Sequence, residues 1–169
     1  MPSNYLEQLS AEWYEFNGYF VRRNILVGRL HKGGYECELD IVAFNPQKKH
    51  LVHIEPSRDA NSWKERERRF KKKFNAGKKY IPNLFKGLKL PSHIEQIALL
   101  GFAGKKHRSS IGGGKVVVIS EFLGIILKEI WIKSSSYSII PEQYPILRTL
   151  QLVTDYPNDV INVIKNERI

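Results

Sequence analysis

The chain of 169 residues contains a single cysteine, Cys37. One cysteine excludes an intramolecular disulfide and is too little for a zinc site built on cysteines. The longest apolar runs, such as Phe122 to Leu127, are too short to span a bilayer. The N-terminus also lacks the basic and apolar regions of a signal peptide. We therefore expect a cytoplasmic protein that does not bind membranes.

Acidic residues are also scarce, since 17 Asp and Glu stand against 27 Lys and Arg and leave a net charge of +10. The excess is concentrated between Lys64 and Lys89, where eleven basic residues accompany only Glu65 and Glu67. A basic surface on one element is typical of a protein that binds a polyanion such as nucleic acid. The alternative is a solvated helix face whose lysines only keep the protein soluble.

The rest of the composition is ordinary, with 42% hydrophobic and 26% charged residues. These values predict one globular domain over residues 1–169, with a core of about 4–133 and a C-terminal segment of about 139–169. Hydrophobic periodicity and turn residues predict its elements. They are a helix capped by Ser3 or Asn4 and ended by Asn17 and Gly18; strands at 19–26, 37–44 and 51–56; a helix at 62–79; buried strands at 94–102 and 115–119 around a mobile loop at 103–114; and helices at 121–132 and 145–154. This order predicts an α/β fold, a mixed sheet with helices on its faces.

The hairpin from Glu36 to Ser57 contains the most informative pattern. If its turn centres between Gln47 and Lys48, Asp40 lies directly opposite Glu55 on the neighbouring strand. Side chains in that relation have Cβ atoms about 4.5–5.5 Å apart, and alternation places both on one face of the sheet. His53 shares this face and is expected to pack at the edge of the core, or to lie beside a bound ion.

Two carboxylates so close repel each other unless something neutralises them. A divalent cation such as Mg²⁺ or Mn²⁺, bound through oxygens, is the simplest candidate. The alternative is that both acids lie at exposed strand ends or pair with Arg22, Arg23 or Arg58. A slip of one residue in the register would place them on opposite faces.

The segments Glu38-Leu39-Asp40-Ile41-Val42-Ala43 and His53-Ile54-Glu55-Pro56-Ser57 resemble the PD-(D/E)XK nuclease superfamily. This superfamily includes restriction endonucleases and Holliday-junction resolvases. The resemblance covers roughly residues 4–103 and implies a restriction endonuclease-like core: a helix, a three-stranded meander, a helix and further strands. It also implies that Asp40 and Glu55 bind Mg²⁺. A glutamate of the first helix often assists, and Glu7 matches best, with Glu12 and Glu15 as rivals.

The chain departs from the family pattern at Ser57, where a lysine is expected. A serine hydroxyl can contact a phosphate or a water molecule but brings no positive charge. The missing cation could instead be Arg58 or Lys64, although ordinary surface charge explains either residue equally well.

The basic helix and the following loop predict a DNA-binding surface, because each lysine or arginine that contacts a phosphate adds affinity without sequence information. The resemblance, together with this charge, predicts a metal-dependent DNA endonuclease, plausibly a homodimer that uses its C-terminal segment as the interface. A nuclease-fold protein that binds DNA without cutting it, and a nuclease directed at RNA, remain alternatives. The residues expected to contact DNA are Lys64, Arg68, Lys71, Lys72, Lys79, Lys105, Lys106 and Arg108.

Overall fold

The computed structural model describes residues 4–101, 108–134 and 139–166. Some residues named in the sequence analysis lie outside the described ranges: Ser3, Lys105, Lys106 and the stretch 135–138. The structure therefore does not test the predictions made for them. The chain divides into two compact units, Met1–Ile119 and Ser120–Ile169. None of the described helices combines the length and the apolar character that crossing a membrane requires.

The first unit is a mixed α/β structure built on a six-stranded sheet in the order β1-β2-β3-β4-β6-β5. The first three strands are antiparallel, whereas β4 pairs parallel with β3, and β6 pairs parallel with β4. A short antiparallel strand, β5, completes the edge. The strands are β1 (Phe20–Arg29), β2 (Tyr35–Asn45), β3 (His50–Ser57), β4 (Glu95–Leu100), β5 (Ser110–Ile111) and β6 (Gly114–Val118).

Helix α1 (Tyr5–Phe16) begins where the sequence predicts, because the Asn4 side chain accepts a hydrogen bond from the Leu6 amide at 3.1 Å. It ends at Asn17, whose side chain donates to the Trp13 carbonyl. The helix contacts β1, β2 and β3.

Helix α2 (Trp63–Tyr80) connects β3 to β4 and begins at Ser62, which caps the Glu65 amide. The parallel pairing of β3 and β4 requires such a crossover. Phe70 and Phe74 are buried on its inner side against Ala98, Leu100, Ile111 and Val116 of β4, β5 and β6. This packing fixes which side of the helix faces the sheet and therefore which cations reach the site.

The second unit contains most of α3 (Ile119–Ser134) together with α4 (Pro145–Asp155) and α5 (Pro157–Asn166). The β-branched residues of α3 do not prevent a helix, as predicted. Helix α5 was not predicted. It begins at Pro157, and proline suits the first position of a helix because its missing N–H needs no partner there.

Two further predictions need correction. Strand β1 continues to Arg29, beyond the predicted end at Leu26, because β2 supplies partners for its last residues. Ser110 and Ile111 form a strand rather than loop, and Gly114 begins β6.

Candidate functional site

The hairpin of β2 and β3 has the predicted register, since Ile41 pairs with Ile54 and Val42 pairs with His53. One step further along, Asp40 and Glu55 face each other. The backbone N–H of Asp40 donates a hydrogen bond to Glu55 Oε1 at 3.2 Å. At this end of the β2–β3 pairing the acceptor is therefore a side-chain carboxylate rather than a backbone carbonyl. The two carboxylates therefore lie side by side on one face of the sheet.

Lys73 of α2 lies between the two carboxylates. Its Nζ donates to Asp40 Oδ1 and lies 2.5 Å from Glu55 Oε2. The side chains of Lys73, Asp40 and Glu55 are 21%, 15% and 2% exposed. Of the arginines considered from the sequence, Arg22 donates to the Leu84 carbonyl, Arg23 pairs with Glu15, and Arg58 stacks on Tyr5.

The oxygens of Glu55 differ in their surroundings. Oε1 accepts from the Asp40 amide and contacts His53 Nε2 at 2.7 Å. Oε2 is buried, and the Lys73 ammonium lies 2.5 Å from it. A buried carboxylate oxygen without a hydrogen bond costs free energy unless a cation is nearby. Lys73 supplies such a charge in this structure, and the carboxylate oxygens of Asp40 and Glu55 are also ligands that would suit a hard divalent cation.

The pKa values follow from burial and from the three charges. Burial raises the pKa of Asp40 to about 7, and the neighbouring Glu55 charge adds to the effect. Burial likewise raises the pKa of Glu55. For Lys73, burial favours the neutral amine, but the charges of Glu55 and Asp40 outweigh it and raise its pKa. The ammonium is thus charged at neutral pH, whereas Asp40 is poised between its two forms.

Ser57 is buried at the end of β3 and belongs to a second polar network. Its hydroxyl donates to Asp59 and accepts from Arg69 at 2.8 Å. Arg69 also forms an ion pair with Asp59, and the buried Arg66 donates to Asp59 Oδ1 at 3.1 Å. Although burial opposes ionisation, the Ser57 and Arg69 contacts lower the pKa of Asp59 to about 2. Ser57 therefore orients an arginine instead of supplying a charge.

The glutamates of α1 occupy three different environments. Burial and the charge of Asp40 raise the pKa of Glu7, which places Glu7 within electrostatic reach of the pair. Glu12 is buried and accepts from Gln8 at 2.8 Å, and Glu15 pairs with Arg23 at 2.9 Å. Within residues 4–101, 108–134 and 139–166, no three His, Cys, Asp or Glu side chains form a group that could hold a metal ion. The structure therefore does not group Glu7 with Asp40 and Glu55 as a third ligand.

A pocket of about 380 Å³ opens over the carboxylate pair. Three cationic side chains line it: Arg58, which follows β3, and Arg69 and Lys73 of α2. Lys64, the other cation considered from the sequence, does not line it. The lining residues are Asn4, Asp40, Glu55, Pro56, Ser57, Arg58, Asp59, Arg69, Phe70 and Lys73.

A larger cavity of about 870 Å³ lies near the first residues of β3, β4 and β6. Its polar lining includes Lys78, His93, Lys115 and Glu95, and Glu95 is paired with His50 at 2.8 Å. This cavity lacks a pair of facing carboxylates, so the smaller pocket is the candidate site.

Among the described residues, those expected to contact DNA do not line the pocket. Lys64, Lys71 and Lys72 are exposed on α2, and so are Arg68 and Lys79, which pair with Glu65 and Glu36. Arg108 is exposed, lies 4.0 Å from Glu67 and stacks over Trp63. These residues form a basic surface on the solvent side of the helix.

The sequence analysis missed Lys73 and Arg69 as site residues. A signal was present, because Lys73 lies between the inward-facing Phe70 and Phe74, and Arg69 is one helical turn before it. Both were counted only as part of the charge of the helix. No family model, curated protein or solved structure matches this chain.

Proposed function

We propose that this protein is a metal-dependent nuclease that hydrolyses phosphodiester bonds in DNA. The observation that carries the proposal is the buried Asp40–Glu55 pair with the Lys73 ammonium, in a pocket that Arg58 and Arg69 also line. Two acids and a lysine beside two arginines suit a phosphodiester, whose negative charge needs neutralising while water attacks.

The order of elements supports a restriction endonuclease-like core. Helix α1, the β1–β2–β3 meander, α2 and the parallel strand β4 follow one another as that core requires. The carboxylates lie on the second and third strands of the meander. This agreement supports the architecture alone. The proposed activity depends on the residues of the site.

Asp40 and Glu55 would hold Mg²⁺ or Mn²⁺. Such an ion would supply Lewis acidity toward a phosphate oxygen and toward water. The protein would supply two ligands to the ion. Substrate oxygens and water would complete the coordination, as is usual for Mg²⁺.

Lys73 takes the part that the family pattern gives to a lysine at position 57. Its ammonium already lies between the carboxylates and is positioned to contact a phosphate oxygen when the substrate enters. Arg69, held by Ser57 and Asp59, is a second phosphate contact, since its guanidinium lines the same pocket. The exposed lysines of α2 would hold the neighbouring backbone of the nucleic acid through charge.

A second candidate is a DNA-binding protein without catalytic activity. One observation favours it: Lys73 already compensates the two carboxylates, so the triad can exist as a purely structural ion cluster. Retention of two buried acids beside a basic surface argues against it, because carboxylates weaken binding to phosphates.

Cleavage assays test the proposal. Plasmid DNA, oligonucleotides and RNA are incubated with Mg²⁺ or Mn²⁺ and with wild type, Asp40→Asn or Glu55→Gln, variants that keep the shape of the side chain. We expect metal-dependent cleavage by the wild type and a loss of at least about a hundredfold in each variant. Wild type that binds DNA but cuts nothing with any metal would establish the second candidate, and preferential cleavage of RNA would change the substrate.

A further inference from the structure

We infer that His53 and Gln96 position Glu55, so that one carboxylate oxygen is fixed by protein hydrogen bonds and the other is presented to the cation. His53 would be a positioning residue rather than a ligand. The inference deepens the proposed function and depends on it for the identity of the cation.

The first step concerns the orientation of Gln96, which is 5% exposed on β4. Its Nε2 lies 2.8 Å from the Phe74 carbonyl and 3.3 Å from His53 Nδ1. The carbonyl of Phe74 only accepts hydrogen bonds, so the atom that faces it must be the amide nitrogen. That nitrogen has a second hydrogen available for His53.

The second step fixes the tautomer of His53, whose side chain is fully buried. Because Gln96 donates to Nδ1, that ring nitrogen must be the acceptor, and the proton of the neutral ring lies on Nε2. Nε2 is 2.7 Å from Glu55 Oε1 and therefore donates to it. The edge of the imidazole also packs against the Phe74 ring, with centroids 5.4 Å apart, which limits its rotation.

The third step concerns Glu55. Oε1 receives hydrogen bonds from His53 and from the Asp40 amide, whereas Oε2 faces the Lys73 ammonium. With Oε1 held by two donors, rotation of the carboxylate is blocked. Oε2 is therefore directed to the side of Asp40, where a shared cation would lie.

The absence of a side chain at Gly77 of α2 leaves space for the His53 ring. A Cβ at Gly77 would overlap His53 Nδ1 and lie 2.7 Å from its Cε1. Glycine inside a helix is less stable than alanine. The close approach of the histidine is a physical reason for glycine at this position.

Affinity for Mn²⁺ alone, measured by isothermal titration calorimetry, tests the role of His53. We expect His53→Leu to raise the dissociation constant about 10–100-fold, as loss of a residue that orients a metal ligand does. His53→Gln, whose amide can again donate to Glu55, should restore most of the affinity. Gly77→Ala should weaken binding by displacing the ring, whereas Gly124→Ala, a matched change in a helix where the added Cβ meets nothing, should not.

A second measurement needs no variant. Correlation of ring protons with ring nitrogens by NMR in the metal-free wild type should show His53 protonated at Nε2 and not at Nδ1. A proton on Nδ1 would overturn the inference whatever the function. Equal Mn²⁺ affinity of wild type and His53→Leu would overturn it while leaving the nuclease proposal intact. Failure of the wild type to bind Mn²⁺ at all would instead remove the metal site on which both depend.

Discussion

Lys73 Nζ lies 2.5 Å from Glu55 Oε2. This lysine of helix α2 thus places its ammonium between the two carboxylates of the β2–β3 hairpin. The lysine occupies the region where a divalent cation would also be attracted. Metal binding and the Lys73 ion pair are therefore coupled, and the two can be separated experimentally.

Replacing Lys73 by methionine should slow cleavage strongly but should not prevent metal binding. The variant removes a positive charge that repels the cation, so we expect tighter Mn²⁺ binding together with at least about a hundredfold slower cleavage. Calorimetry and single-turnover cleavage measure the two effects. Lys128→Met, at an exposed lysine of α3, is the control. Weaker Mn²⁺ binding in Lys73→Met would show that the lysine supports the site in another way.

The stability of the metal-free protein should fall as the pH rises from about 4 to 7. Asp40 titrates near 3.8 when unfolded and at about 7 when folded. Between these values the folded state keeps a proton that the unfolded state has lost, so rising pH favours unfolding. Urea denaturation in EDTA at a series of pH values should show this decline in wild type and a smaller one in Asp40→Asn. Parallel curves for the two proteins would contradict the raised pKa.

Arg69→Leu should weaken substrate binding while leaving Mn²⁺ binding unchanged. The guanidinium lines the pocket but contacts Ser57 and Asp59 and not the carboxylate pair. Loss of one charged contact to a phosphate should raise KM about tenfold, with a smaller change in kcat. Arg29→Leu, at an exposed arginine of β1, is the control. A large fall in Mn²⁺ affinity would mean that Arg69 helps to organise the metal ligands.

The exposed lysines of α2 should determine the salt dependence of DNA binding. Each phosphate contact contributes about 0.9 to the slope of log K against log salt concentration for duplex DNA. Lys71→Ala combined with Lys72→Ala should therefore lower the slope by nearly 2 if both contact phosphates. Fluorescence anisotropy between low and moderate salt measures the slope. Lys128→Ala, an exposed lysine of α3, should leave it unchanged, and an equal effect there would indicate binding through net charge alone.

Most of the secondary structure could be predicted because its signals are local. Asn4 and Ser62 cap helices by bonding amides two or three residues ahead, and alternation marked β2 and β3. The elements that sequence analysis missed have weak local signals. Strand β5 has only two residues and exists because β6 pairs with it, and α5 begins at a proline.

The sequence by itself determined that Asp40 faces Glu55. A short hairpin turn leaves few possible registers, and a turn centred between Gln47 and Lys48 gives the pairing that the structure has. The serine at position 57, in place of a lysine, was also evident from the sequence.

Only the tertiary structure decided which cation completes the site and how Glu55 is held. The cation depends on the rotation of α2 about its axis, which is set by the packing of Phe70 and Phe74 against β4, β5 and β6. The way in which Glu55 is held depends on Gln96, which contacts His53 from strand β4, after helix α2 in the chain. Such contacts join residues far apart in the chain, and no local pattern specifies them. The Asp40–Glu55 pair is thus a property of the hairpin, whereas its chemistry is a property of the assembled fold.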